Sequence, residues 1–205
     1  MFRERRERRG SEAKYREDIA YILDFLPYGY GPGYRRGRTA LRGPIAQAIG
    51  ERYFILLELA PLAGIQLRTG DVVSLTGGLD KQVIRVVGRI SYDELTAAAK
   101  AELPGIIERI VMKREKHFVE FFNKAEPLTT KMHSLELLRG IGKKTLWRIL
   151  DERRKRPFES FEDIRLRAKI DPVKLIVERI IEELREPQRH YLFIAPPFRR
   201  RRPPI

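Results

Sequence analysis

The amino-acid sequence predicts an α+β protein: a small, mostly antiparallel β-barrel, an all-helical module inserted into it, and a C-terminal strand that returns to the barrel. Three observations predict this. Four β-branched or aromatic runs of strand length, Ile19–Leu26, Tyr53–Leu59, Val72–Leu75 and Val83–Ile90, lie between glycine-rich stretches. Residues 129–187 are dense in Leu and Ile at helical spacing. Pro187 then ends the helical pattern, and His190–Ala195 (HYLFIA) reads as strand again. A lone strand must pair, and the first barrel is the nearest sheet.

In chain order, residues 1–17 read as a flexible basic arm and 18–92 as the barrel, completed by a strand at 189–196. Gly70–Asp71 and Gly77–Gly78 give the clearest turns between strands. Residues 93–128 form connecting helices. Ser91 with Glu94 makes a capping-box pattern for the first, and Pro104 suits the first turn of a second. Ile107, Ile110, Val111, Phe118, Phe121 and Phe122 give that second helix an apolar face, which reads as core. Residues 129–187 make the helical module, and 198–205 a disordered basic tail.

The chain has 205 residues, 42% of them hydrophobic, enough for a globular core. No apolar run is long enough for a transmembrane helix, and Met1 to Arg9 lacks the apolar stretch of a secretion signal. Cysteine is absent, which removes disulfides, thiolate metal sites and cysteine nucleophiles together. The expected location is the cytoplasm, with no membrane partner. Net charge is +14, which points to a polyanion whose phosphates release counterions on binding. The surplus is concentrated: residues 28–44 hold four Arg and no acid, and 131–157 hold nine basic and three acidic groups.

The most specific stretch runs from Leu135 to Leu150, LELLRGIGKKTLWRIL. It looks like a helix-hairpin-helix motif, a Gly-hydrophobic-Gly turn between two short helices. Gly140 and Gly142 permit the tight turn and leave backbone unshielded for a phosphate. Ile141 anchors the turn inward, and Lys143 and Lys144 open a helix whose free N–H groups favour an anion. Such hairpins commonly have Pro where this chain has Arg139, which adds a phosphate contact. With Arg148 one turn further on, these residues make the first candidate nucleic-acid site.

PFESFEDI (157–164) resembles the linker between paired hairpins, with Ser160 starting a helix. The second turn, Lys169-Ile-Asp-Pro172, lacks glycine. Asp171 there caps its own helix and repels phosphate, so the second hairpin reads as scaffold. The second candidate surface is the glycine-rich loop carrying Tyr28, Tyr30, Tyr34, Arg35, Arg36, Arg38 and Arg42. Arg grips phosphate in bidentate fashion, and Arg and Tyr stack on exposed bases. In OB-type barrels the loop after the first strand commonly contacts nucleic acid.

His117, His133 and His190 fit no metal-ligand spacing and read as structural or solvent-facing. No hydrolase, two-metal nuclease or ligase signature occurs. No catalytic residue, metal or cofactor is expected, and the chain reads as non-enzymatic.

Taken together, Asp24-Phe-Leu-Pro-Tyr-Gly with its Gly/Arg loop, His133-Ser-Leu-Glu-Leu-Leu-Arg-Gly-Ile-Gly-Lys-Lys, PFESFEDI, Asp171-Pro-Val-Lys-Leu-Ile and Tyr191-Leu-Phe span nearly the whole chain. The arrangement resembles an archaeal family, domain of unknown function 655, described as predicted nucleic-acid- or nucleotide-binding proteins. The resemblance implies an OB-like barrel plus tandem helix-hairpin-helix architecture and an archaeal cytoplasm, and it brings no reaction. The expectation is a largely sequence-independent nucleic-acid-binding protein, with RNA slightly favoured over DNA. Two other classes stay open: an adaptor docking onto ribosomal or transcription proteins, and a cryptic nuclease.

Overall fold

The computed structural model describes residues 15–30, 43–62, 64–76 and 83–196. Tyr34, Arg35, Arg36, Arg38 and Arg42 of the basic loop, most of the predicted arm and all of the tail lie outside the described residues. The fold is α+β, with a curled antiparallel half-barrel sheet and five helices.

The sheet has five strands: β1 (Ile19–Leu26), β2 (Ile45–Gly50), β3 (Leu56–Pro61), β4 (Val72–Ser74) and β5 (Val83–Arg89). Their order is β4-β1-β2-β3-β5, and every described ladder is antiparallel. Among the described residues no ladder joins β4 to β5, so the sheet is an open curl. The central strand β2, IAQAIG, is buried along its whole length, and sequence reasoning missed it. Ala, Gln and Gly have weak strand propensity; the slot between β1 and β3 makes this segment a strand.

One face of the sheet carries the apolar cluster of Ala20, Ile22, Ala46, Ala48, Leu57 and Leu59. The other carries a polar rung. Asp24 pairs with Gln47 and Gln47 with Glu58, so three polar side chains from three strands share one row. Gln47 donates to Glu94 O (3.0 Å) and accepts from Thr96 N (2.9 Å), while Thr96 Oγ donates to Asp24 (2.6 Å). Thr96 Oγ also accepts from Ala99 N (3.0 Å) and so caps helix α1 (Ala97–Lys113). The Ser91–Glu94 box is present, but the turn it closes, Tyr92–Glu94, is a single 3-10 turn.

Three expectations need correction. The end of the predicted arm belongs to the sheet's packing: Glu17 is buried, and Tyr15 meets Tyr53 edge-on at 5.2 Å. Pro104 does not begin a helix but sits inside α1, on its exposed face. Buried Ala99, Leu103, Ile107 and Ile110 carry the helix across it, and water can solvate the carbonyl it frees. The break comes instead at Arg114, before α2 (Glu115–Lys124), with no glycine or proline to mark it. Finally, residues 189–196 form bends and no strand. The segment reaches the sheet's core through Ala195, which is buried in the apolar cluster and donates its N–H to Tyr53 O (3.1 Å).

The chain divides into two compact units, one running through Glu102 and resuming at Leu184, the other Leu103–Glu183. The second unit holds α2, a two-stranded ribbon of β6 (Pro127–Thr129) and β7 (Met132–His133), α3 (Lys143–Lys155) and α4 (Phe161–Ala168), and most of α1 and α5 (Pro172–Arg185). Phe118, Phe122, Leu135, Ile149, Ile164 and Ile176 are among its buried side chains. Asn123 locks Phe158 at both ends, donating to its O and accepting from its N, each at 2.8 Å.

Candidate nucleic-acid interface

The geometry around Gly140 follows from local chemistry. Ser134–Leu137 is a 3-10 turn capped by His133, whose Nδ1 accepts from Leu135 N (3.1 Å). Glu136 reaches back to His133 N (2.8 Å) and holds Lys143 Nζ at 2.7 Å. That carboxyl therefore stays below the usual carboxylate range, first through the His133 N–H and then through Lys143. Lys143 Nζ also donates to Lys131 O (3.2 Å), so its ammonium ties the turn to the ribbon. His133, read from sequence as surface or structural, is buried and structural.

The two glycines differ. Gly140 has φ +90, a conformation that costs L side chains and explains glycine there. Gly142 has φ −84 with extended ψ, and a Cβ on it would meet nothing within 4 Å. Neither backbone angle nor packing calls for glycine at 142. Ile141 is buried, and its N–H closes the turn on Leu138 O (3.0 Å).

Gly142 is the N-cap of α3 and has no side chain to cap with. The helical ladder starts with Leu146 N to Gly142 O (2.9 Å), so the N–H groups of Lys143, Lys144 and Thr145 precede it. The first turn of α3 contains no acidic residue. The second turn is built the other way. Lys169 takes the left-handed conformation that glycine would favour, φ 54, and Asp171 Oδ1 accepts from Lys174 N (3.2 Å) to cap α5. Ser160 likewise caps α4 through Asp163 N (3.0 Å).

The basic surplus of 131–157 is mostly spoken for. Arg153 points its guanidinium at the carbonyls of Phe122 (3.0 Å) and Ala125 (2.9 Å), closing the C-terminal end of α2; burial holds its pKa down. Arg154, Lys155 and Arg156 pair with Asp151, Glu152, and Glu159 with Asp163. Arg139 is exposed and loosely paired with Glu182 at 3.7 Å. Among the described residues Lys131, Lys144 and Arg148 have no carboxylate partner, and the Arg148 Nε is buried without an acceptor. Trp147, which sequence reasoning passed over, lies exposed, between Lys144 and Arg148 in sequence. Its signal was an indole out of step with Leu146 and Ile149, the buried positions of α3.

Of the second candidate surface, only Tyr28 and Tyr30 lie within the described residues. Tyr28 is 93% exposed. Tyr30 is not a free ring: its hydroxyl donates to buried Glu58 (2.6 Å) and accepts from Gln47 (2.8 Å), extending the polar rung.

The fold and this turn define a mixed α+β protein with one unusually open, cation-rich helix start. The family model described as "Protein of unknown function (DUF655)" matches residues 16–195, and the chain belongs to that family. An uncharacterised protein of Methanocaldococcus jannaschii is 38% identical over 180 residues, 87% of this chain and 80% of the relative. A crystal structure of an Archaeoglobus fulgidus member of the same family is 50% identical, with a TM-score of 0.77 over 87% of this chain and all of that one. Among the described residues no helix is long and apolar enough to cross a membrane.

Proposed function

We propose that the protein is a non-enzymatic nucleic-acid-binding protein that grips the phosphate backbone with little regard for sequence, the Gly140–Lys144 turn being the cradle. In this reading, residues 129–187 are an asymmetric tandem helix-hairpin-helix module, and the curled sheet is an OB-like scaffold for the Gly/Tyr/Arg loop. RNA is slightly favoured over DNA, because that loop suits unpaired bases.

The observation that carries the reading is Gly142. The fold does not need a glycine there, yet its absent side chain leaves three helix-start N–H groups open beside Lys144. A phosphate needs that open backbone and takes charge-assisted hydrogen bonds from such groups. Phosphate contacts position a polymer without reading bases, hence the lack of sequence preference.

The test is fluorescence anisotropy with single-stranded RNA, structured RNA and duplex DNA at low and moderate salt, wild type beside Gly142→Asp. The variant recreates the Asp171 arrangement in the first turn. Losing the charge-assisted bonds should weaken binding about ten-fold or more, with the fold intact. Equal affinity in the two proteins would overturn the assignment.

A further inference from the structure

We infer that Trp147, with Lys144 and Arg148, is a base-stacking platform, so that the polymer presents an unpaired nucleotide where it crosses α3. This rests on the reading above and narrows its substrate class to nucleic acid with single-stranded character.

Trp147 is the only tryptophan in the chain, and it is 56% exposed. Leu146 and Ile149 occupy the buried face of α3, so the helix cannot turn the indole inward without exposing them. Among the described residues no ring or cation stacks on it. Lys144, three residues before it, is its neighbour on the helix surface, and Arg148, four residues after Lys144, is the next neighbour of that lysine.

The neighbourhood sets these three residues apart. Arg153, Lys155 and Arg156 are occupied by carbonyls or carboxylates, whereas Lys144 and Arg148 have no carboxylate partner. A flat apolar ring beside Lys144, with Arg148 on the far side of that lysine, complements a flat base joined to a phosphate. The indole takes the base and the cations take the charge. An acidic peptide would use the cations alone and leave the exposed indole without a role. Duplex nucleic acid, its bases already stacked, would use the Gly140–Lys144 turn but not Trp147.

Because there is one tryptophan, its fluorescence reports on this position alone. The full chain is titrated with single-stranded RNA, a blunt duplex of equal length, polyphosphate and polyglutamate. Anisotropy is measured in parallel on wild type, Trp147→Ala, Trp147→Phe and Gly142→Asp. The single strand should quench the indole and the other three should leave it nearly unchanged. Trp147→Ala should weaken single-strand binding about ten-fold, as expected for one lost stack. Trp147→Phe should keep most of the affinity, and duplex affinity should not depend on residue 147.

The inference is overturned if Trp147→Ala binds the single strand as tightly as wild type, or if polyphosphate quenches as deeply as RNA. It is also overturned if only polyglutamate quenches, which would reassign the patch to an acidic protein. Loss of binding in Gly142→Asp without loss in Trp147→Ala would remove the platform and keep the cradle. No binding to any nucleic acid would remove both.

Discussion

The Glu17 carboxylate fills the space where a side chain at Gly50 would begin: a Cβ at Gly50 would overlap the Glu17 carboxyl. That carboxylate is 5% exposed and accepts from the N–H groups of Arg52 (2.8 Å), Tyr53 (2.8 Å) and Ile55 (3.2 Å), stitching the segment before β1 to the β2–β3 turn. Gly50→Ala should destabilise by about 1–3 kcal/mol through overpacking. Glu17→Ala should cost at least as much, about 1–3 kcal/mol for each buried N–H left without an acceptor. With Glu17 gone the overlap at residue 50 disappears, so the double variant should be no less stable than Glu17→Ala alone. A denaturant-unfolding double-mutant cycle measures this; strict additivity would contradict the contact.

The two turn glycines should respond oppositely. Gly140→Ala forces a left-handed φ on a residue with a Cβ and should cost about 1–2 kcal/mol. Gly142→Asp supplies the missing cap and should stabilise by roughly a few tenths of a kcal/mol, even as, under the proposed reading, it weakens phosphate binding. Thermal unfolding of the two variants side by side checks the pair. A lower melting temperature for Gly142→Asp would mean that the fold does need glycine there.

Tyr30 and Tyr28 should separate stability from binding. Tyr30→Phe leaves Glu58 and Gln47 short of a partner in a buried layer and should cost about 1–3 kcal/mol. Tyr28→Ala removes an almost fully exposed ring and should change stability by less than about 0.5 kcal/mol. If Tyr28 stacks on bases, the same variant lowers affinity for single-stranded RNA. Unfolding curves and anisotropy together decide.

His133 makes the second unit sensitive to acid. Burial, then the nearby positive charges of Arg153 and Lys143, hold its pKa below the ordinary imidazole value, while Glu136 opposes them. Its Nδ1 is an acceptor for Leu135 N–H, a bond that protonation abolishes. With the folded pKa depressed, the unfolded chain takes up the proton first. The stability contribution is present above about pH 6.5 and is lost as pH falls below it. Melting temperature measured from about pH 7.5 to about pH 5.5 should therefore fall in wild type. His133→Asn keeps a capping oxygen without titrating there, and should flatten that part of the curve.

What the sequence made legible was local chemistry. The Gly140–Gly142 turn, the Ser160 and Asp171 caps and the Ser91–Glu94 box depend on residues within a few positions of one another, and each is present. What escaped it was decided by distant neighbours. β2 is a strand because β1 and β3 flank it. HYLFIA has the composition of a strand, yet it forms bends, and Ala195 reaches the sheet through its N–H to Tyr53 O and its buried methyl. The basic surplus of 131–157 read as charge for phosphate, but Arg153 is spent on the carbonyls of α2 and Arg156 on two carboxylates. The cations left over, and the indole beside them, emerge only once those partners are in place.

The contrast between Gly142 and Asp171 bears on strand polarity. Two equivalent open turns, repeated along one module, would hold a backbone at two points and fix the line along which it lies, though not its sense. Here the second turn has a carboxylate where a phosphate would sit. Under the reading proposed, a polymer held only at the first turn stays free to swivel about that point, in either 5′-to-3′ sense. Direction must then come from an asymmetric contact beside the grip. A nucleotide whose base lies on Trp147 while its phosphate sits at Gly142 has a defined head and tail, so the same helix that anchors the chain would also orient it.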